Sequence, residues 1–329
     1  MPTFNVSQYV KDAVESVLGQ TYSDFELLVI DDCSSDNTID IVRGIKDPRI
    51  RIERNERNLG LADNLNRGLS LIKTEYVARM DGDDIALPHW LEKEMFFLEA
   101  HPEVGVCGGG GERFGTMSSV ISFPEAHEDI CVNMLFNCSI VVPTFRMSLY
   151  NEYGLRYRSE SFPAEDYRFW SEAILVTRLH NIKEPLFRYR MHQFQICSSL
   201  QLEQRSKMVD VRKKMVAHIE GLTIQEIDFF IGQFHKSIMS SADWRQRNIF
   251  VNRLLHLNRA NCFYHNKALK QGLLFHLRQV LFYTIVNRFF KSGYTLPAYV
   301  GYLKSGLALR SGWHYESRFF LKSVLHRTK

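Results

Sequence analysis

Cysteine pairs, long apolar runs and a signal peptide are all missing from this 329-residue chain. Its six cysteines (Cys33, Cys107, Cys131, Cys138, Cys197 and Cys262) contain no CxxC pair and no zinc spacing. That argues against a structural zinc site and against a disulfide framework. No run of about 18 apolar residues occurs, so no segment reads as a bilayer-spanning helix. The opening Met1-Pro2-Thr3-Phe4-Asn5 has neither a basic n-region nor an apolar h-region, so no secretory leader is read there. Scattered thiols without a leader predict a cytoplasmic protein, either soluble or held at a membrane surface.

What is present is an ordinary globular composition, 45% hydrophobic and 24% charged, with a net charge of +4 that conceals an asymmetry. After residue 200 there are 21 Lys and Arg against 7 Asp and Glu; before it there are 20 against 30. Two units with different partners are expected, residues 1–200 and residues 201–329.

The first 110 residues alternate between two periodicities. Val10, Ala13, Val14, Val17 and Leu18 recur at helical spacing behind Ser7, a good N-cap. Phe25 to Ile30 is a nearly continuous apolar run, as a buried parallel strand would be. Helix stripes follow at Ile39 to Ile45 and Leu61 to Ile72, with short strands at Ile50 to Ile52 and Tyr76 to Met80. Pro88 stands at an expected helix start before Trp90, Leu91, Met95 and Leu98. This alternation predicts an open, mostly parallel α/β sheet, which binds ligands at the carboxyl ends of its strands. A helix starting near Ser7 needs a strand before it, and Met1 to Asn5 reads only as the end of one. The first strand is therefore expected to be largely missing, leaving two ladder edges exposed and the protein poorly soluble. Gly108 to Gly111 reads as a mobile loop near the site or as a plain flexible turn.

Two acidic clusters sit at strand ends. Asp31-Asp32 follows the second strand, and Asp81-Gly82-Asp83-Asp84 follows the strand at Tyr76. Three carboxylates in four positions repel one another and raise their own pKa values. A hard cation such as Mg²⁺ or Mn²⁺ would relieve that, and Asp81 and Asp83, two residues apart, can address one ion or ligand.

Five segments in register resemble the family 2 glycosyltransferases, nucleotide-sugar-dependent enzymes of the GT-A fold. They are Pro2-Thr3-Phe4-Asn5, Val29 to Thr38, Asn58-Leu59-Gly60-Leu61-Ala62, Asp81 to Asp84, and Ala164-Glu165-Asp166-Tyr167. The resemblance spans roughly residues 1 to 195. It implies that Pro2, Thr3 and Asp32 surround the nucleotide base, where a carboxylate can accept the N3–H of uracil. It implies that Asp83 binds the metal, that Asp81 serves the ribose or a metal-bound water, and that Gly82 lets the backbone approach the ligand. Asp84 is expected to be structural. Asp166 would be the general base that deprotonates the acceptor hydroxyl for an inverting displacement, with Glu165 and Trp170 near the acceptor. In Arg188-Tyr189-Arg190-Met191-His192, His192 is a candidate metal ligand, and Arg188 and Arg190 are candidate diphosphate contacts. Val142-Pro143-Thr144 departs from relatives that carry a His before the Pro.

The C-terminal region reads as helical, with segments Ser206 to Ile219 and Leu273 to Phe290. Phe289, Phe290, Lys291, Tyr294, Trp313 and Phe319 to Lys322 interleave aromatic and cationic side chains, which suits an anionic membrane surface or a solvated basic face. No nucleic-acid-binding signature accompanies the charge. The expected function is transfer of a sugar from a nucleotide-diphospho-sugar, UDP-linked, to a glycan or lipid-linked hydroxyl in cell-surface polysaccharide synthesis, at the inner face of the membrane. The alternatives are a non-catalytic sugar-nucleotide binder or scaffold and a DxD-type metal-dependent phosphotransferase.

Overall fold

The computed structural model describes residues 1–192, 195, 200–234, 241–277 and 279, and it divides into two units, Met1–His218 and Ile219–Lys329. The division falls later than the expected boundary at residue 200. The helix Gln201–Ala217 belongs to the first unit, where Gln204 donates to the Pro163 carbonyl at 3.0 Å.

The first unit holds the expected α/β alternation. Strands β1 (Pro2–Thr3), β2 (Leu27–Asp31) and β3 (Ile50–Arg54) are parallel, in the order β1-β2-β3. All five residues of β2 are buried, which explains its unbroken apolar run. Helices α1 (Val10–Leu18), α2 (Thr38–Gly44) and α3 (Leu61–Leu71) connect the chain around this sheet. The α1 start differs from expectation. Tyr9 occupies the cap position without a side-chain bond, and the Ser7 N–H instead donates to Asp36 at 3.0 Å. Asp36 also accepts from the Thr38 N–H at 2.9 Å, so one carboxylate holds the entries of both α1 and α2.

A second, mixed sheet carries β4 (Tyr76–Ala78), β5 (Ile85–Ala86), β6 (Val104–Gly115), β7 (Ser119–Ile121), β8 (Thr144–Arg146) and β9 (Arg178–Met191). Its order is β4-β8-β6-β9-β5, with β7 on β6. Helix α4 (Trp90–Ala100) packs on it, with Pro88 two residues ahead of its first turn; α5 (His127–Asn133) and α6 (Ser148–Asn151) follow along the chain.

The first strand is a two-residue stub. Pro2 and Thr3 pair with Ile30 and Asp31, and the Met1 amine donates to the Leu28 carbonyl at 2.8 Å. Among the described residues β4 pairs only with β8. Leu27 and Leu28 of β2 and all of β4 therefore line a cavity of about 840 Å³, walled also by Leu65, Met80, Trp90 and Phe145. The two exposed ladder edges expected from a short first strand are the walls of this cavity.

Gly108 to Gly111 are neither a mobile loop nor a turn. All four are buried within β6, paired in parallel with β9. Neighbouring atoms fill the space a Cβ would need: one on Gly111 would lie 2.5 Å from the Phe187 ring, one on Gly109 would overlap Leu186, and one on Gly110 would meet the Ile121 carbonyl at 3.0 Å. The cluster that includes Leu186, Phe187, Val10, Val14, Trp90 and Val29 is the core this close approach serves.

In the second unit, helices Ile224–Phe234 and Ser241–Asn261 are joined by an Arg253–Glu226 ion pair. No helix among the described residues is long and apolar enough to cross a membrane. The basic and aromatic stretch from Phe289 to Lys322 lies outside the described residues.

Replacing Gly111 by Ala should destabilise the fold by about 1–3 kcal/mol or more, the usual cost of overpacking a filled core. Urea unfolding of the two proteins reads this directly, and an unchanged midpoint would contradict the packing described.

Candidate active site

The carboxyl ends of β1, β2 and β4 bring the first loop, the Asp31-Asp32 pair and the Asp81 to Asp84 cluster together. Asp32 is buried and already well occupied. Its Oδ1 accepts from Asn55 Nδ2 at 2.6 Å and from the Leu59 N–H at 2.8 Å, and its Oδ2 from the Gly60 N–H at 2.9 Å. The Asn58-Leu59-Gly60 turn is thus the cradle of Asp32, and Gly60 takes φ +84 to point its N–H there. A carboxylate offers about four acceptor positions, so one on Oδ2 remains for a ligand N–H. Asp31 is internal: Ser34 N–H donates to it at 3.1 Å and Arg54 pairs with it at 3.3 Å.

Pro2 and Thr3 abut the acidic cluster through Gly82. A Cβ there would lie 2.9 Å from Thr3 Cγ2 and 3.2 Å from the Pro2 carbonyl. The close approach that Gly82 permits is therefore to the chain's own first strand, not to a ligand as expected.

The four residues Asp81 to Asp84 divide their work. Asp84 is 1% exposed and accepts from the Arg190 N–H at 2.8 Å, so it is structural. Burial, then the Asp83 and Asp81 charges, push its pKa well above the usual carboxylate range. Asp83 is also raised, by burial and then by Asp81, with His192 pulling the other way. His192 Nε2 lies 3.1 Å from Asp83 Oδ2 and its ring stands 4.6 Å from that of Tyr9. Arg190 donates to the Asp83 carbonyl at 2.8 Å and to Asp12 at 3.2 Å, and it lies over the rings of Tyr9 and Phe114. Two of its five guanidinium N–H groups are thereby engaged within the protein. Arg188 lies over Phe114 as well.

Among the described residues no three His, Cys, Asp or Glu side chains converge into a ready-made metal cage. The donor set nevertheless fits Mn²⁺ or Mg²⁺: burial and then the neighbouring carboxylates raise the pKa of Asp83 and Asp84, a penalty a cation would relieve, and the buried Nδ1 of His192 has no hydrogen-bond partner among the described residues.

Asp166 opens helix α7 (Glu165–Ala173). It comes to the Asp81 cluster through a residue the sequence reading passed over, Arg79. Arg79 Nη1 donates to Asp166 Oδ1 in a close ion pair, and Nη2 donates to Asp81 Oδ1 at 3.1 Å. Burial opposes this guanidinium's charge, but Asp166 and then Asp81 outweigh it and raise its pKa well above normal. An arginine closing the otherwise apolar run Tyr76 to Met80 was the available signal. Glu165 is buried with Oε2 unpartnered, and burial followed by the Asp166 charge pushes its pKa up to about 8. Trp170 is 1% exposed and edge-on to Phe145 and Phe169, so it is core and has no face free for a sugar ring. Cys138, nearby, is no nucleophile: burial pushes its thiol up to about 12.

Residues 1–122 match the model of glycosyl transferase family 2. The chain is 34% identical over 231 residues to a glycosyltransferase of Haemophilus influenzae, covering 65% of this chain and 71% of the relative. It is 30% identical over 203 residues to the Escherichia coli UDP-Glc:alpha-D-GlcNAc-diphosphoundecaprenol beta-1,3-glucosyltransferase WfgD, covering 60% and 78%. The Staphylococcus aureus TarS 1–349 structure with UDP-GlcNAc superposes with a TM-score of 0.58 at 18% identity, covering 90% of this chain and 91% of that one. The fold is that of the GT-A glycosyltransferases. The chain belongs to glycosyl transferase family 2 and is a glycosyltransferase, which removes the phosphotransferase alternative.

The Glu165 carboxyl, proton-bearing in the folded state up to about pH 8, releases its proton near pH 4.5 once unfolded. The folded state therefore holds more protons between these values, and its contribution to stability falls as pH rises from about 5 to 8. Glu165→Gln should flatten that decline. Unfolding midpoints at pH 5, 6, 7 and 8 for both proteins test it; parallel slopes would refute the raised pKa.

Proposed function

We propose that this protein is an inverting glycosyltransferase that moves a sugar from a UDP-linked donor to a hydroxyl of a glycan or lipid-linked acceptor in cell-surface polysaccharide synthesis. The observation that carries the reading is the Arg79 bridge, which ties the carboxylate at the end of β4 to the carboxylate at the start of α7. A donor held at Asp81 and Asp83 would then present its anomeric carbon toward Asp166. The donor and acceptor that the name of the Escherichia coli relative carries, UDP-Glc and a diphosphoundecaprenol-linked sugar, support the choice of substrate class.

Pro2, Thr3 and Asp32 bind the base, with the remaining acceptor position on Asp32 Oδ2 taking the uracil N3–H. Asp81 serves the ribose side. Asp83 and His192 would hold Mn²⁺ or Mg²⁺, which would neutralise charge on the departing diphosphate. Arg190 fixes the backbone of that ligand pair through its N–H and Nε, with Nη2 on Asp12, and its remaining guanidinium N–H groups would serve the diphosphate. Asp166 takes the proton from the acceptor hydroxyl as that oxygen bonds to C1, and the C1–O bond to the diphosphate breaks with inversion. Glu165 stays protonated beside it, which spares the site a second negative charge. The protein works on the cytoplasmic side of the membrane, with residues 201–329 facing an anionic surface.

Asp166→Asn should keep donor binding and lose transfer by at least about 100-fold; near-normal turnover in that variant would sink the assignment of the base. Asp83→Ala should weaken UDP binding in the presence of Mn²⁺, by about tenfold or more on removal of a charged ligand. Calorimetry with UDP and Mn²⁺ reads it, and unchanged affinity would move the metal elsewhere. A thermal-shift screen of UDP- and GDP-sugars, with and without Mn²⁺, identifies the donor as the ligand that raises Tm most.

A further inference from the structure

We propose that Arg79 is the positioning residue of the catalytic base: it holds Asp166 by Oδ1 and so presents Oδ2 to the acceptor hydroxyl. This rests on the reading of Asp166 as the base. Only one oxygen of the Asp166 carboxylate is engaged. Nη1 of Arg79 pairs with Oδ1, and Oδ2 has no partner among the described residues. The side chain of Asp166 is 35% exposed while that of Arg79 is 11% exposed, so the carboxylate is anchored on a buried guanidinium and stays accessible from outside.

Arg79 is itself immobilised from several directions. Its backbone N–H donates to the Pro143 carbonyl at 3.0 Å, next to the Val142-Pro143-Thr144 segment. Its Nη2 is drawn to Asp81. The Tyr157 ring lies 5.8 Å from the guanidinium and stacks at 4.3 Å on Phe169, which belongs to the same helix as Asp166. The guanidinium is therefore a buried plate held between Asp81 and Asp166. A carboxylate at the first turn of a helix otherwise rotates about two side-chain torsions, and each non-productive rotamer removes the base from reach of the hydroxyl. A planar guanidinium imposes direction on a carboxylate in a way an ammonium on a flexible stem does not. The same plate bonds Asp81, so the distance between the donor-side carboxylate and the base is set by one side chain.

The test is a double-mutant cycle on the full chain, with the donor identified by the thermal-shift screen, alongside crystal structures of the wild type and Arg79→Met. Arg79→Met should lower kcat by about 100-fold while UDP affinity with Mn²⁺ changes by less than about tenfold, and Arg79→Lys should recover only part of kcat. In an Asp166→Asn background, Arg79→Met should cost less than about threefold further, since the group it acts through is already gone. An equal loss in both backgrounds would overturn the proposal while leaving the base intact. A loss confined to UDP affinity would overturn it too, and would assign Arg79 to the donor. Near-normal turnover of Asp166→Asn alone would fail the underlying reading of the base, and the proposal with it. The crystal structures need no turnover: Asp166 should leave its rotamer in Arg79→Met, and an unmoved Asp166 carboxylate would overturn the proposal.

Discussion

Too many carboxylates crowd at too few strand ends, out of water, and the rest of the site is arranged around that constraint. Asp31, Asp32, Asp84 and Glu165 are all buried, and Asp83 is half-buried. An ionised carboxylate in such a place persists only with donors or cations around it, or else takes up a proton. Each solution occurs here. Asp32 is surrounded by three N–H donors. Asp81 and Asp166 share one guanidinium. Asp83 meets an imidazole. Glu165 is pushed toward its neutral form.

These local solutions also build the geometry. Because Arg79 is rooted at the end of β4 and Asp166 at the start of α7, satisfying their charges brings together segments 87 positions apart in the chain. Because Asp84 takes the Arg190 N–H and Asp83 meets His192, the end of β9 is pinned over the same cluster. Charge neutralisation thus does at the site what apolar burial does in the core.

Much of this was legible in the residue pattern. A nearly continuous apolar run located β2 and period-3.6 stripes located α1, α3 and α4, since a strand buried on both faces and an amphipathic helix leave different patterns. The acidic motifs reported their place at strand ends. Other features were hidden because they depend on a partner far away in sequence. Gly108 to Gly111 looks like a loop until β9 is laid against it and Leu186 and Phe187 claim the space of the missing side chains. Gly82 looks like an opening for a ligand until Thr3 fills it. Trp170 looks available for a sugar until Phe145 and Phe169 close around it. Arg79 looks like a stray charge in a strand until two carboxylates arrive at it from different segments.

The amino-acid sequence alone determined the family, the α/β class and the identities of the acidic residues at the strand ends, because local periodicity and motif spacing are properties of neighbouring positions. Tertiary structure alone decided which of those residues stay open to a ligand and which are consumed by the protein, because burial and hydrogen bonding are settled between distant segments. The short first strand shows both sides. Its brevity could be read from the six residues before Ser7, but the cavity of about 840 Å³ that it leaves exists only once β2 and β4 stand opposite each other.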